Sequence, residues 1–247
     1  MAEQVDWIAG IHAVSQVLIK KPDSVQRLLL QRGRDDKRMA KIRELAGGAD
    51  IREESVDKKQ LDQFIPGSHQ GVLALCSLQN SARDERFLKQ MLDKLEREPL
   101  LLVLDGITDP HNLGACLRVA DATGVDAVIV PKDKSSSLNA TVRKVASGAA
   151  ESVNFIVVTN LQRCLESLQK RDIWLVGTAD EASKTVYEQE LTGPLALVMG
   201  SEDKGLRRLT RQTCDFLVSI PMAGEVSSLN VSVATGVCLF EAVRQRS

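Results

Sequence analysis

From residue 100 onward, short runs of consecutive apolar residues alternate with stretches of helical spacing. The runs fall at residues 100–104, 127–130, 155–158, 173–177, 195–200 and 216–220. An unbroken apolar run belongs to a strand buried on both faces. Helical spacing predicts helices over residues 113–123, 139–149, 161–170 and 229–244. This alternation predicts an α/β fold: a C-terminal, mostly parallel sheet with helices on both faces. In the first helix Leu113, Leu117 and Ala120 share the core face. In the last, Leu229, Val233, Gly236, Val237 and Phe240 form the predicted core stripe, with Ser228 as the N-cap.

The pattern before residue 79 is a smaller α/β unit. It predicts helices over 11–19, 36–46 and 58–64, and strands over 25–31, 49–53 and 71–76. Between the two lies a charged stretch, residues 79–99, with Leu88, Met91, Leu92 and Leu95 at helical spacing. Pro99 should end that helix, because a proline disfavours helix in the residue before it. The expected organisation is a first domain over 1–78, a linker and helix over 79–99, and a second domain over 100–247.

Composition narrows the function classes. The chain has 247 residues, 43% of them apolar and 26% charged, with a net charge of −1. There is thus no global basic signal for nucleic acid, and any such site must come from local clustering. One cluster exists: Arg27, Arg32, Arg34, Lys37, Arg38, Lys41 and Arg43 against Asp35 and Asp36, a net of +5. Aromatics make up 3% of the chain, which argues against recognition by rows of stacked bases. The five cysteines are scattered without a Cys-x-x-Cys pair and read as reduced buried thiols. The three histidines are far apart, so no metal site is expected. Glu3 and Asp6 stand where a signal peptide would be basic, and no apolar run approaches the ~18 residues of a membrane span, so a cytoplasmic protein is expected.

In an open parallel sheet, ligands bind beyond the carboxyl ends of the strands. Three loops there have unusual content. The first, from Asp105 to Gly114, leads into a helix bearing Arg118, with Asn112 as the expected N-cap and His111 as a turn residue. The second runs from Gly200 to Gly205 and holds Glu202. There Gly200 would let a ligand approach the backbone. The third follows Ile220 and holds Gly224, Ser227, Ser228 and Asn230. A shorter loop holds Thr178. No Gly-x-Gly-x-x-Gly follows a strand, no P-loop occurs, and no serine sits in Gly-x-Ser-x-Gly.

Together the three loops resemble the three motifs of the SpoU/TrmH family of RNA ribose 2′-O-methyltransferases, in the SPOUT superfamily. The first is Asn-Leu-Gly-Ala-Cys-Leu-Arg-Val-Ala at 112–120. The second is Leu-Val-Met-Gly-Ser-Glu-Asp-Lys-Gly at 197–205. The third is Ile-Pro-Met-Ala-Gly-Glu-Val-Ser-Ser-Leu-Asn-Val-Ser-Val-Ala at 220–234. The resemblance implies S-adenosyl-L-methionine as cofactor, a trefoil knot in the C-terminal α/β domain, and a homodimer whose interface helps build the site. It implies catalytic roles for Asn112, Arg118, Glu202 and Asn230. It implies a cofactor pocket lined by Thr178, Gly200, Ile220, Met222 and Leu229, with Ser228 beside them.

Gly10-Ile-His-Ala-Val14 and His69-Gln-Gly-Val-Leu-Ala74 resemble the small L30e-like RNA-binding domain of the family members that methylate a guanosine of 23S rRNA, in the peptidyl-transferase-centre loop. The implied partner is 23S rRNA or a pre-ribosomal particle, which turns the basic cluster into an expected phosphate contact. The alternatives are a tRNA ribose methyltransferase, whose members usually lack this domain, and a non-catalytic rRNA-binding or ribosome-assembly protein on the same scaffold. In the family reading the first-motif arginine is often the base. A guanidinium keeps its proton in proteins, so the role expected of Arg118 is to grip the phosphate beside the target ribose.

Overall fold

A computed structural model describes residues 5–67, 69–77, 82–202, 204–226 and 228–247, without the Asp6 side chain. Asp203 and Ser227 of the second and third motifs, and the expected domain boundary at residue 78, lie outside the described residues.

The chain forms two compact units. In the first, β1 (Val5–Ala9), α1 (Ile11–Lys20), β2 (Val25–Gln31), α2 (Lys37–Gly48), β3 (Glu53–Val56), α3 (Lys58–Phe64) and β4 (Val72–Ser77) follow in order. Their sheet has the order β1-β4-β2-β3, with β4 antiparallel to both β1 and β2, and β3 parallel to β2. Strand β2 and helix α3 occupy the predicted residues. The strand expected at 49–53 instead starts at Glu53, and β1 was not anticipated. Asp36 caps α2, accepting from Arg38 N and Met39 N, so that helix starts one residue later than expected. Val14, Val17, Leu28, Leu30, Met39 and Ile42 form the centre of this unit's core.

Four of the seven clustered basic residues are already paired in this unit. Arg27 meets Glu54, Arg32 meets Asp57, Arg34 meets Asp36, and Arg43 meets Asp35 and Glu53. Lys37, Arg38 and Lys41 remain exposed along α2.

The second unit holds α4 (Glu85–Asp93), β5 (Leu100–Asp105), α5 (Pro110–Ala122) and β6 (Ala127–Pro131). The helix expected over 139–149 is broken into α6 (Ala140–Ala146) and α7 (Ala149–Ser152). Ser147 at φ 52° and Gly148 at φ 97° interrupt it with left-handed backbone. Residues 138–152 group with the first unit, where α6 packs on β1 and α7 on α1. The second unit resumes with β7 (Asn154–Val158), α8 (Leu161–Gln169), β8 (Trp174–Thr178), β9 (Lys184–Thr185), β10 (Leu195–Gly200), α9 (Arg208–Thr213), β11 (Phe216–Ser219) and α10 (Val231–Arg246). Helix α4 stops at Asp93, well before Pro99, and neither β9 nor α9 was anticipated.

The large sheet has the order β7-β6-β5-β10-β8-β11-β9, and all its pairs are parallel. Every residue of β5, β6 and β10 is buried, as strands covered on both faces require. The chain runs outward from β5 to β7, then crosses to β8 and later fills the gap with β10. The strand order therefore reverses next to β5, and the loops leaving β5, β8 and β10 surround that switch point.

Three helix ends and faces differ from expectation. Asp109, not Asn112, caps α5, accepting from His111 N with Pro110 in the first turn. Asn230, not Ser228, caps α10. The buried face of α10 is Val231, Thr235, Cys238, Leu239 and Ala242. Of the stripe expected in the core, Val233 is 51% exposed and Phe240 54%, while Leu229, Gly236 and Val237 are half-buried. Leu113, Leu117 and Ala120 of α5 are fully buried, as expected. The four buried cysteines fit the expected inert thiols: burial pushes Cys116 up to about 11 and Cys238 up to about 12.

Gly200 is crowded from within. A β-carbon there would run into the Gly205 carbonyl and the Leu206 nitrogen, because the loop folds back and closes with Gly205 N donating to Ser201 O at 2.8 Å. The close approach expected of a ligand is made by the chain's own backbone. Gly200→Ala should cost about 3 kcal/mol. Gly47→Ala, in an open helical position, should gain about 0.5–1 kcal/mol. Urea denaturation of both variants checks this, and similar midpoints for the two would contradict it.

Candidate active site

Three loop segments meet through one side chain. As the cap of α10, Asn230 accepts with Oδ1 from Ser232 N at 3.0 Å and from Ser232 Oγ at 2.6 Å. That use of the oxygen fixes the amide, so Nδ2 must face the other way. There Nδ2 donates to Asn112 Oδ1 at 2.9 Å and to Glu202 Oε1. Glu202 Oε1 also accepts from Val231 N at 3.3 Å, at the positive end of α10. Asn112, Glu202 and Asn230, expected together from the motifs, are therefore in one hydrogen-bonded cluster. Asn112 is buried on the first turn of α5, and its amide nitrogen is left without a partner among the described residues.

Beside this cluster is a cavity of about 400 Å³ at the carboxyl ends of β8, β10 and β11. Thr178, Gly200, Ile220, Met222, Ser228 and Leu229 all line it, and so does Glu202. Its size is that of a small-molecule site. Val218, Met199 and Leu206 add apolar surface; none was among the expected site residues, although Met199 lies within the second motif. For Met199 and Val218 the position on an apolar strand was the available signal. Arg211 also lines the cavity, but it is paired with Glu181.

Arg118 is the exception. It is exposed on α5, lines neither this cavity nor the cluster, and has no hydrogen bond or ion pair among the described residues. Its neighbour Val119 lies against Gly236, where α5 packs along α10. No group of three or more His, Cys, Asp or Glu side chains among the described residues could hold a metal ion. No helix there is long and apolar enough to cross a membrane.

Residues 99–240 match the SpoU rRNA Methylase family, and residues 7–82 match the family described as RNA 2'-O ribose methyltransferase substrate binding. The chain belongs to the SpoU rRNA methylase family. It is 57% identical to the 23S rRNA (guanosine-2'-O-)-methyltransferase RlmB of Pseudomonas aeruginosa, over 99% of this chain and 98% of that one. To the RlmB of Escherichia coli it is 54% identical, over 98% and 99%. The SpoU methyltransferase AviRb from Streptomyces viridochromogenes, solved in complex with the cofactor AdoMet, superposes with a TM-score of 0.80. It is 27% identical and covers 98% of this chain and 90% of its own. A TrmH/SpoU tRNA modifying enzyme of A. aeolicus matches only 65% of this chain, with 83% of its own length covered, 32% identity and a TM-score of 0.55.

If Asn230 is the hub, its removal and that of the Glu202 charge must not be independent. A double-mutant cycle of Asn230→Ala and Glu202→Gln, followed by denaturation, should give a coupling of about 0.5–3 kcal/mol. Additive effects would show that the two side chains act separately.

Proposed function

We propose that this protein transfers a methyl group from S-adenosylmethionine to the ribose 2′-oxygen of a guanosine in 23S rRNA. One observation carries the reading. The six residues expected to hold the cofactor all line one cavity, whose wall includes a glutamate tied to Asn230 and, through it, to Asn112. The near-full-length likeness to the RlmB enzymes supports the rRNA guanosine over a tRNA substrate.

The donor set fits the cofactor. Ile220, Met222 and Leu229 offer apolar surface to an adenine. When bound, S-adenosylmethionine supplies an electrophilic methyl on a sulfonium. The chain has to align the ribose oxygen with that methyl and take up the hydroxyl proton. Alignment of well-oriented reactants is worth up to ~7–11 kcal/mol. The Glu202 oxygen left free of Asn230, or the neighbouring phosphate, would take up the hydroxyl proton. Asn112 has a spare N–H pair to hold the ribose, whereas the Asn230 amide is saturated and orients Glu202.

Arg118 requires a second copy of the chain in this reading. Its isolation within one protomer, and the exposed Val233 and Phe240 on α10, favour a homodimer that brings the partner's arginine to the phosphate beside the target ribose. The trefoil knot implied by the motifs would rest on the placement of β10 between β5 and β8. The substrate-binding role falls to the first unit, with Lys37, Arg38 and Lys41 exposed along α2 for phosphate contact.

Labelled methyl should pass to unmodified 23S rRNA, map to a guanosine ribose, and leave bulk tRNA unlabelled. Labelled tRNA, or no transfer, would overturn the assignment. Arg118→Ala should abolish transfer while calorimetry still shows S-adenosylmethionine binding, and wild-type turnover would remove Arg118 from the mechanism. Phe240→Asp should shift the sedimenting species to a monomer, and an unchanged mass would place the contact elsewhere.

A further inference from the structure

A second cleft, of about 500 Å³, opens on the carboxyl side of β6 and β7. Pro131 and Asp133 after β6, Thr159 and Asn160 after β7, and Arg207 and Arg208 at the start of α9 line it. None of these residues is used by the cofactor cavity or the catalytic cluster. The two arginines leave the same loop that carries Glu202, on the same edge of the parallel sheet.

The arginines differ in what holds them. Arg207 is tethered: its backbone N–H donates to Asp105 Oδ2 at 2.9 Å, and its Nε lies 3.4 Å from Asp105 Oδ1. Asp105 is buried at the end of β5, so this contact fixes the backbone that presents the next residue. Arg208 is exposed and has no carboxylate partner among the described residues. Among the described residues that line it, the acidic side chain is Asp133, which stands between the exposed Lys132 and Lys134. An unpaired guanidinium on a tethered backbone at the edge of a cleft suits a phosphate, which accepts its forked N–H groups.

We propose that this cleft holds a backbone phosphate of the RNA strand flanking the target nucleotide, with Arg208 as the contact. The site rests on the proposed RNA substrate and extends it to a named second point of attachment. Arg208 positions the strand and touches no reacting atom.

The test is binding of a 23S rRNA peptidyl-transferase-loop fragment to the full chain, measured against salt concentration. Arg208→Ala should weaken binding several-fold, and the slope of log affinity against log salt should fall by about 1. Arg208→Lys should restore the slope. KM for the fragment should rise with kcat and S-adenosylmethionine affinity unchanged. An Arg208→Ala protein with wild-type affinity and salt slope would overturn the proposal. Binding is read apart from turnover, so a protein that binds the fragment through Arg208 without methylating it would sink the proposed function alone.

Discussion

The amide of Asn230 has one orientation that works, and the site depends on it. Its oxygen is committed to the first turn of α10, so its nitrogen has to point at Asn112 and Glu202. A helix entrance, the turn after β10 and the first turn of α5 are thereby held to one another. These segments are more than a hundred residues apart for the Asn112 pair. A cap residue is ordinarily a local device that satisfies an orphan N–H. Here the remaining half of the same side chain reaches across the sheet's carboxyl edge. The cavity then follows from the backbone: β8, β10 and β11 end side by side, and the loops leaving them have nowhere to go but around it.

Much of this was legible in the sequence, for identifiable reasons. Unbroken apolar runs marked the buried strands because a parallel sheet covered on both faces leaves no polar positions, and 195–200 matched β10 residue for residue. That Thr178, Gly200, Ile220, Met222, Ser228 and Leu229 share one cavity followed the motif resemblance, not periodicity. What failed was equally physical. Helix α10 carries two apolar stripes, and spacing alone could not say which faces inward; Thr235 and Cys238 belong to the buried one, Val233 and Phe240 to the other. Ser228 and Asn112 are good capping residues, but Asn230 and Asp109 hold those positions. Short elements such as β9 and α9 lack the length for a periodic signal, and Ser147 and Gly148 broke a helix that the apolar spacing alone left continuous.

Charge was the least transparent feature. The run from Arg27 to Arg43 looks like a nucleic-acid patch in sequence, yet most of its arginines already face carboxylates of neighbouring strands and turns. Exposed pairs of this kind contribute little stability. They do, however, leave fewer cations for a phosphate backbone. Arg118 shows the reverse case: a motif residue whose sequence position is informative but whose side chain has no partner among the described residues.

The central claim is that the cavity beside the Asn112–Glu202–Asn230 cluster is where methyl transfer occurs. A crystal structure of the protein with S-adenosylmethionine tests it most directly. The account predicts the adenine against Ile220, Met222 and Leu229, with the methyl group turned toward Glu202 and Asn112 and the Asn230 hydrogen bonds intact. A cofactor bound elsewhere, or one whose methyl points away from that cluster, would contradict it.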